Sequence, residues 1–469
     1  MKKLSCVLSA LPGGLLTAAL VVLCASPLLR YAEALPWLPH AVRSVNIGLL
    51  HQFATDLLIA MTLFGAVTAT RAPMPRYCVI FGVVFSLLLL AASVGQVYAA
   101  IAHAGNIRAV FYLVPFVSLL MVTVFLRWTR AAATSAGFYF PVNMADGGIK
   151  MGLLLGATAF AFAALKHGIN YPLMAQYFFD SLDQFTLMAI PFLVLAGVVL
   201  NPQRRSGNLI PFASLALWYA SFAGIAPGKF IFALVIPGAM IFLALSLAGA
   251  KNIIFAEHKP MERLMMYGLV GVLFIGTFIQ AFVSFTEGAA LAALMVGATS
   301  VWLFRQTGKN ELAQLVTYSA VQSAGWLFTG AATMLWVRLL GEDSFIPGAW
   351  LAGMSGIMMM PGVLLLCLSV PVCVACYLIG PIAAILLAAA LLLPLSGTIG
   401  LQPIQLGVIL LISLALVKVL QTNRTGAQIY YPSFKRNHAL LLMLLVLVLV
   451  AFIPALSQRL PLLLFGPGI

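Results

Sequence analysis

The chain has 469 residues, of which 63% are hydrophobic and only 8% charged, against about 25% charged in soluble domains. Its 25 Lys and Arg against 11 Asp and Glu give a formal charge of +14, which in a soluble protein would point to nucleic acid; here the basic residues are scattered through short loops between apolar runs and read as topology signals. These proportions exclude a soluble domain and a nucleic-acid partner, and they predict an all-α polytopic protein surrounded by the lipid bilayer.

A helix needs about 20 apolar residues to cross roughly 30 Å of hydrocarbon, and by that measure the chain holds about 13–15 hydrophobic segments. The clearest are 47–69, 77–101, 109–126, 230–249, 264–283, 404–420 and 439–456. The chain opens on Lys2 and Lys3 followed by an apolar stretch, as a secretory signal does; with so many spans following, an uncleaved first helix is expected. Residues 1–127 hold four candidate helices. The stretch Asn46–Arg71 carries His51, Gln52 and Asp56, which would serve either as a proton or ion relay or, the reading favoured here, as a helix-to-helix hydrogen bond or an interfacial position. Residues 128–150, rich in Gly with Pro and Asn, break the pattern as a linker or interfacial segment.

From Met151 to the C-terminal Ile469 the texture changes, because the apolar runs contain internal Gly, Pro, Ser and Thr. Interrupted helices of that kind are tolerated in a membrane where they line a cavity. Asp180 and Asp183 precede a span broken by Pro191; as a pair they suit either a cation or the capped start of a helix. Arg204 and Arg205, then Lys251, Lys259 and Arg263, then Arg305 and Lys309 mark three loops as cytoplasmic, with turns near 224–229 and 284–288 on the other side. Ser284, Thr286, Glu287 and Gly288 fall at a helix break, where the Glu would cap the next helix or hold a packed scaffold together. Ser319, Gln322, Ser323, Thr329 and Thr333, with Gly325 and Gly330, suit a re-entrant hairpin over 312–337 as well as small-residue helix packing. Cys373 and Cys376 have redox or metal spacing, but with no second pair and no nearby His they read as helix packing. Near the end, Gln421, Thr422, Asn423, Arg424, Thr425 and Gly426 follow an apolar run. They form either a surface loop or an unwound, ligand-binding stretch. No nucleotide loop, metal cluster or catalytic triad stands out, so an enzyme is not expected.

Taken in order, "DSLDQFTLMAIPFLVLAG", "GIAPGKFIFALVIPGAMIFLALSLAG", "SFTEGAALAALMVGATSVWLFRQTGKNELAQLV", "GPIAAILLAAALLLPLSGTIGLQPIQLGVILL" and "AFIPALSQRLPLLL" resemble the membrane component of TRAP transporters, the tripartite ATP-independent periplasmic transporters. Residues 1–127 resemble the small four-helix subunit of that family, fused ahead of a large-subunit-like part over 151–469. The resemblance implies a permease of the bacterial inner membrane with a scaffold and an elevator-type mobile domain carrying inverted re-entrant hairpins. It implies sodium-coupled uptake of a small organic anion, a carboxylate or sialic acid, delivered by a periplasmic solute-binding protein.

Beside the resemblance, the residues themselves suggest particular roles. Arg424 and Asn423, with Gln322 and Ser323, would bind substrate. Thr422, Thr425, Gly426, Ser284 and Thr286 would bind sodium, with no other cofactor expected, and Glu287 and Pro191 would be structural or gating. Two departures from the family pattern matter. The region 201–223 is short, so the first hairpin is expected to be absent. The family's Thr-Pro-Pro loop reads "LQTNRTGAQIYY", where Arg424 beside a sodium ion would oppose it by roughly 4 kcal/mol at about 4 Å and an effective dielectric near 20. Those departures leave open a transport-incompetent subunit acting as a scaffold with other envelope membrane proteins.

Overall fold

The computed structural model describes residues 2–33, 47–69, 149–166, 171–200, 209–250, 283–303, 309–342, 361–378, 380–399, 402–421 and 436–466, with positions 268 and 271. Among these residues every regular element is a helix and none is a strand, as a bilayer requires of an open chain that must satisfy its own backbone. In chain order the α-helices are α1 (Lys2–Glu33), α2 (Ile47–Ala69), α3 (Ile149–Lys166), α4 (Tyr171–Leu182), α5 (Ala189–Leu200), α6 (Leu209–Phe222), α7 (Pro227–Leu245), α8 (Phe285–Ala298), α9 (Lys309–Glu342), α10 (Pro361–Leu378), α11 (Pro381–Ile399), α12 (Pro403–Gln421), α13 (Arg436–Phe452) and α14 (Ala455–Phe465).

Among the described residues three stretches are long and apolar enough to cross a membrane, Leu11–Leu29, Pro227–Ala248 and Pro403–Leu420, or up to five if each of two bent pairs, α4 with α5 and α13 with α14, is one span. The protein is a multi-pass membrane protein. The expected spans at 77–101 and 109–126, and nearly all of 264–283, lie outside the described residues.

The chain packs as two compact units. The first takes Met1–Ile210 and Leu269–Leu339, the second Pro211–Gly268 and Leu340–Ile469. In the first, α1 and α2 form the most extensive helix pair, and α8 packs on α5 and α1. Long helix α9 lies close to the N-terminal helices, with Gly65 of α2 set against Ala324 and the Ala320 carbonyl so closely that a Cβ there would collide. Trp336 of α9 donates its indole N–H to the Leu155 carbonyl of α3 at 2.9 Å. In the second unit, α7 packs on α13 and α14, and α12 on α10 and α13. Ala248, Ala415, Val419, Ala439 and Met443 make one buried cluster there. The fully buried Tyr219 donates its hydroxyl to the Pro403 carbonyl at 2.6 Å.

Two expectations are corrected. Residues 312–337 do not form a re-entrant hairpin, because they lie inside the continuous 34-residue α9. The physical reason is that the hydroxyls of Ser319, Ser323, Thr329 and Thr333 each return to the carbonyl four residues back at 2.7 Å. Their polarity is absorbed within the helix, so no chain break is needed to satisfy it. The sharp bends fall elsewhere, 56° between α4 and α5 and 59° between α13 and α14. The short region 201–223 holds helix α6, joined to α7 by a turn in which Gly224 has φ +65°. Finally, Pro191 does not break a span. The break precedes it, at Asp183 and Gln184 between α4 and the helical stretch Phe185–Val199, and Pro191 falls inside that stretch, just after the 3-10 turn Phe185–Met188.

Candidate functional site

The best-defined polar cluster among the described residues sits at the start of α8. Ser284 is its N-cap and accepts the Glu287 N–H at 3.3 Å, while the Glu287 side chain reaches back to the Ser284 N–H at 2.8 Å. This reciprocal arrangement is the one that the spacing of Ser and Glu favours at a helix start, with the acid at the positive end of the helix. The sequence reading of Glu287 as a cap is borne out in its geometry.

Glu287 is also fully buried, and its carboxylate joins elements far apart in the chain. Oε2 takes the Ser284 N–H and the Ser284 hydroxyl, both at 2.8 Å. Oε1 takes the hydroxyl of Ser26 on α1 and lies 2.9 Å from Nε2 of His51 on α2. An ionised carboxylate offers about four acceptor positions, and these four donors fill them. Burying such a group is costly unless it is paired and hydrogen-bonded, which explains the convergence. The His51 ring stacks on Phe185, centroids 4.6 Å apart. The Phe185 carbonyl in turn accepts the Thr286 hydroxyl at 2.6 Å.

The helix-to-helix role favoured for His51 is therefore what the structure shows, and Asp56 is exposed. Ser284, Thr286 and Glu287 come together, with the hydroxyl hydrogens of the first two committed to Glu287 and Phe185. Gln322 and Ser323 lie on α9; the Ser323 hydroxyl is spent on its own helix, and Gln322 Oε1 is buried without a hydrogen-bond partner among the described residues. Pro191 is buried at the start of α5. Asp180 and Asp183 are exposed at the end of α4 and just beyond it. Cys373 lies 3.6 Å from the Ser413 carbonyl, a helix-packing contact. Thr422, Asn423, Arg424, Thr425 and Gly426 lie outside the described residues. Sequence reasoning missed Ser26 and the Phe185 carbonyl. The one available signal for Ser26 was a small hydroxyl residue within an apolar helix.

No protein-family model matches the chain. Among curated proteins, it is 25% identical over 345 residues to the C4-dicarboxylate TRAP transporter large permease protein DctM of Pseudomonas aeruginosa, a match covering 68% of this chain and 79% of that protein. The chain is thus similar to TRAP transporter permeases. A second relative, the isethionate TRAP transporter permease protein DctMQ of Oleidesulfovibrio alaskensis, is 22% identical over 405 residues, 66% of this chain and 63% of that protein's length. A third, the DctM protein of Vibrio cholerae, is 22% identical over 344 residues, 61% of this chain and 74% of its own. The TRAP likeness thus rests on relatives with two different named substrates.

Proposed function

We propose that the protein is the membrane permease of a TRAP-type secondary transport system in the bacterial inner membrane. In this reading it takes up a small organic anion, a carboxylate or sialic acid, coupled to an ion and delivered by a periplasmic solute-binding protein. The observation that carries the reading is the match to a DctM permease over 68% of this chain and 79% of the relative, in a chain that is helical and apolar throughout its described length. Arg424 is the proposed anchor for the anion, since a desolvated guanidinium takes a carboxylate by two parallel hydrogen bonds. Asn423, Gln322 and Ser323 are the polar groups assigned to the same substrate. Thr422, Thr425 and Gly426, with Ser284 and Thr286, are assigned to sodium, a hard cation that takes oxygen ligands. Glu287 and Pro191 hold the surrounding helices in place.

The test is uptake into vesicles reconstituted with the purified protein and a candidate binding protein outside, over a panel of small carboxylates. Arg424→Ala should abolish uptake while leaving the yield of folded protein unchanged. Uptake that is robust and equal in Arg424→Ala removes that residue from the site, and no uptake of any anion with any ion gradient removes the transport reading. A second reading, a scaffold subunit of an envelope complex without transport, is favoured by the unbroken α9 where a binding hairpin was expected. It predicts that Arg424→Ala leaves partner assembly intact.

A further inference from the structure

We propose that the Glu287 carboxylate is a polar latch that fastens the N-terminal helices α1 and α2 to α8, and that through His51 it also positions the bend between α4 and α5. The inference goes beyond the transport reading and holds equally for a scaffold.

Apolar helix faces in lipid have little hydrophobic drive to associate and little to fix their register, so small residues and polar pairs do that work. Glu287 has the geometry for it. The capping box occupies Oε2 from within α8, and this orients Oε1 toward α1 and α2, where Ser26 and His51 meet it from 261 and 236 residues away in sequence. The contacts then close a circuit. Glu287 holds His51, the His51 ring lies against Phe185 at the bend, and the Phe185 carbonyl holds Thr286, the neighbour of Glu287 in α8. Moving α2 breaks the first two contacts; moving the bend breaks the last two. The N-terminal helices, the start of α8 and the α4–α5 bend are thereby tied into one body, and Ser26, His51 and Glu287 are positioning residues. In a chain whose first part resembles a separate subunit, one buried acid adds a specific polar attachment to the close packing of Gly13 and Gly65 on α9.

The experiment uses the full chain with a protease site inserted within 128–150, purified in detergent and then cut. Retention of the N-terminal fragment is read by size exclusion over a temperature series. The wild-type fragments should stay together. Glu287→Ala should raise release of the N-terminal fragment by on the order of 100-fold at a temperature where the wild type holds, the scale expected for orphaning buried partners. His51→Gln, which keeps a nitrogen donor, should retain the fragment, whereas His51→Leu should release it. Gln405→Ala, which removes a contact to the Val450 and Ala451 carbonyls in the other unit, should not affect retention. In a background of Asp183→Cys, an exposed position beside the bend, thiol labelling should be faster in His51→Leu than with His51 intact. Wild-type retention in folded Glu287→Ala, or equal behaviour of His51→Gln and His51→Leu, overturns the proposal. If Glu287→Ala fails to fold, the His51 variants decide it.

Discussion

Gly407 shows how much a single position can carry. On α12 it lies so close to the ring of Tyr219 that a Cβ would sit 2.6 Å from Cδ1 and 2.7 Å from Cζ, and that ring is anchored by its bond to the Pro403 carbonyl. Gly407→Ala must displace the ring or the helix and should destabilise the protein by about 1–3 kcal/mol, read as a lower unfolding temperature in detergent; an unchanged midpoint would mean that the ring moves freely. Ser26→Ala is expected to be milder than Glu287→Ala, about 1 kcal/mol against about 3–5 kcal/mol, since the first removes one donor and the second leaves several buried groups without their acceptor. Chemical denaturation of the two variants side by side checks the order. The sequence read Glu287 as a helix cap or a scaffold contact and His51 as a helix-to-helix hydrogen bond or an interfacial position, but it could not pair them. Ser26 stayed hidden because a serine in a helix commonly bonds its own backbone, and its hydroxyl is indeed also 3.0 Å from the Leu23 carbonyl.

At the level of elements, hydrophobic runs announced the helices, while polar residues within them were ambiguous. The stretch 316–336 fitted a hairpin and a packed helix equally, because serine, threonine and glycine serve both a broken backbone and a close helix contact. The hydroxyls proved to be satisfied within the helix itself, and the helix packs with Gly65 against Ala324 and Leu155 beneath Trp336, contacts that no local pattern records. A continuous α9 predicts that amides across 316–336 exchange with deuterium as slowly as those of α12, and a fast-exchanging centre would restore the hairpin. Ser323→Pro should cost about 3 kcal/mol or more, since it removes a helical bond and clashes one turn back.

For the whole molecule, composition alone established the class, since a chain with 8% charged residues has no polar surface with which to face water. The order of motifs then pointed to TRAP permeases, and the relatives agree. The packing of α1 on α8 was not legible, because the linking residues are separated by more than two hundred positions. The basic loops predict the orientation. Cysteines introduced at positions 204, 257 and 307 should be labelled only from the cytoplasm and one at 227 only from the periplasm; labelling of 204 and 227 from one side would overturn the assignment.

The 59° bend after α13 has a bearing on lipid chemistry. The 11 residues of α14 extend only about 17 Å, too short to traverse the hydrocarbon, and Arg459 on it is exposed while Leu462, Leu463 and Leu464 are exposed as well. Arg459 precedes Leu462 and Leu463 by three and four residues and so shares a helix face with them. Because a guanidinium is expensive among acyl chains, that face suits the headgroup boundary, with the arginine stem carrying its charge toward water. Headgroup charge thereby becomes a determinant of how firmly the end of the bundle is seated, and Arg459→Glu should lower the unfolding temperature in anionic vesicles while leaving it unchanged in zwitterionic ones.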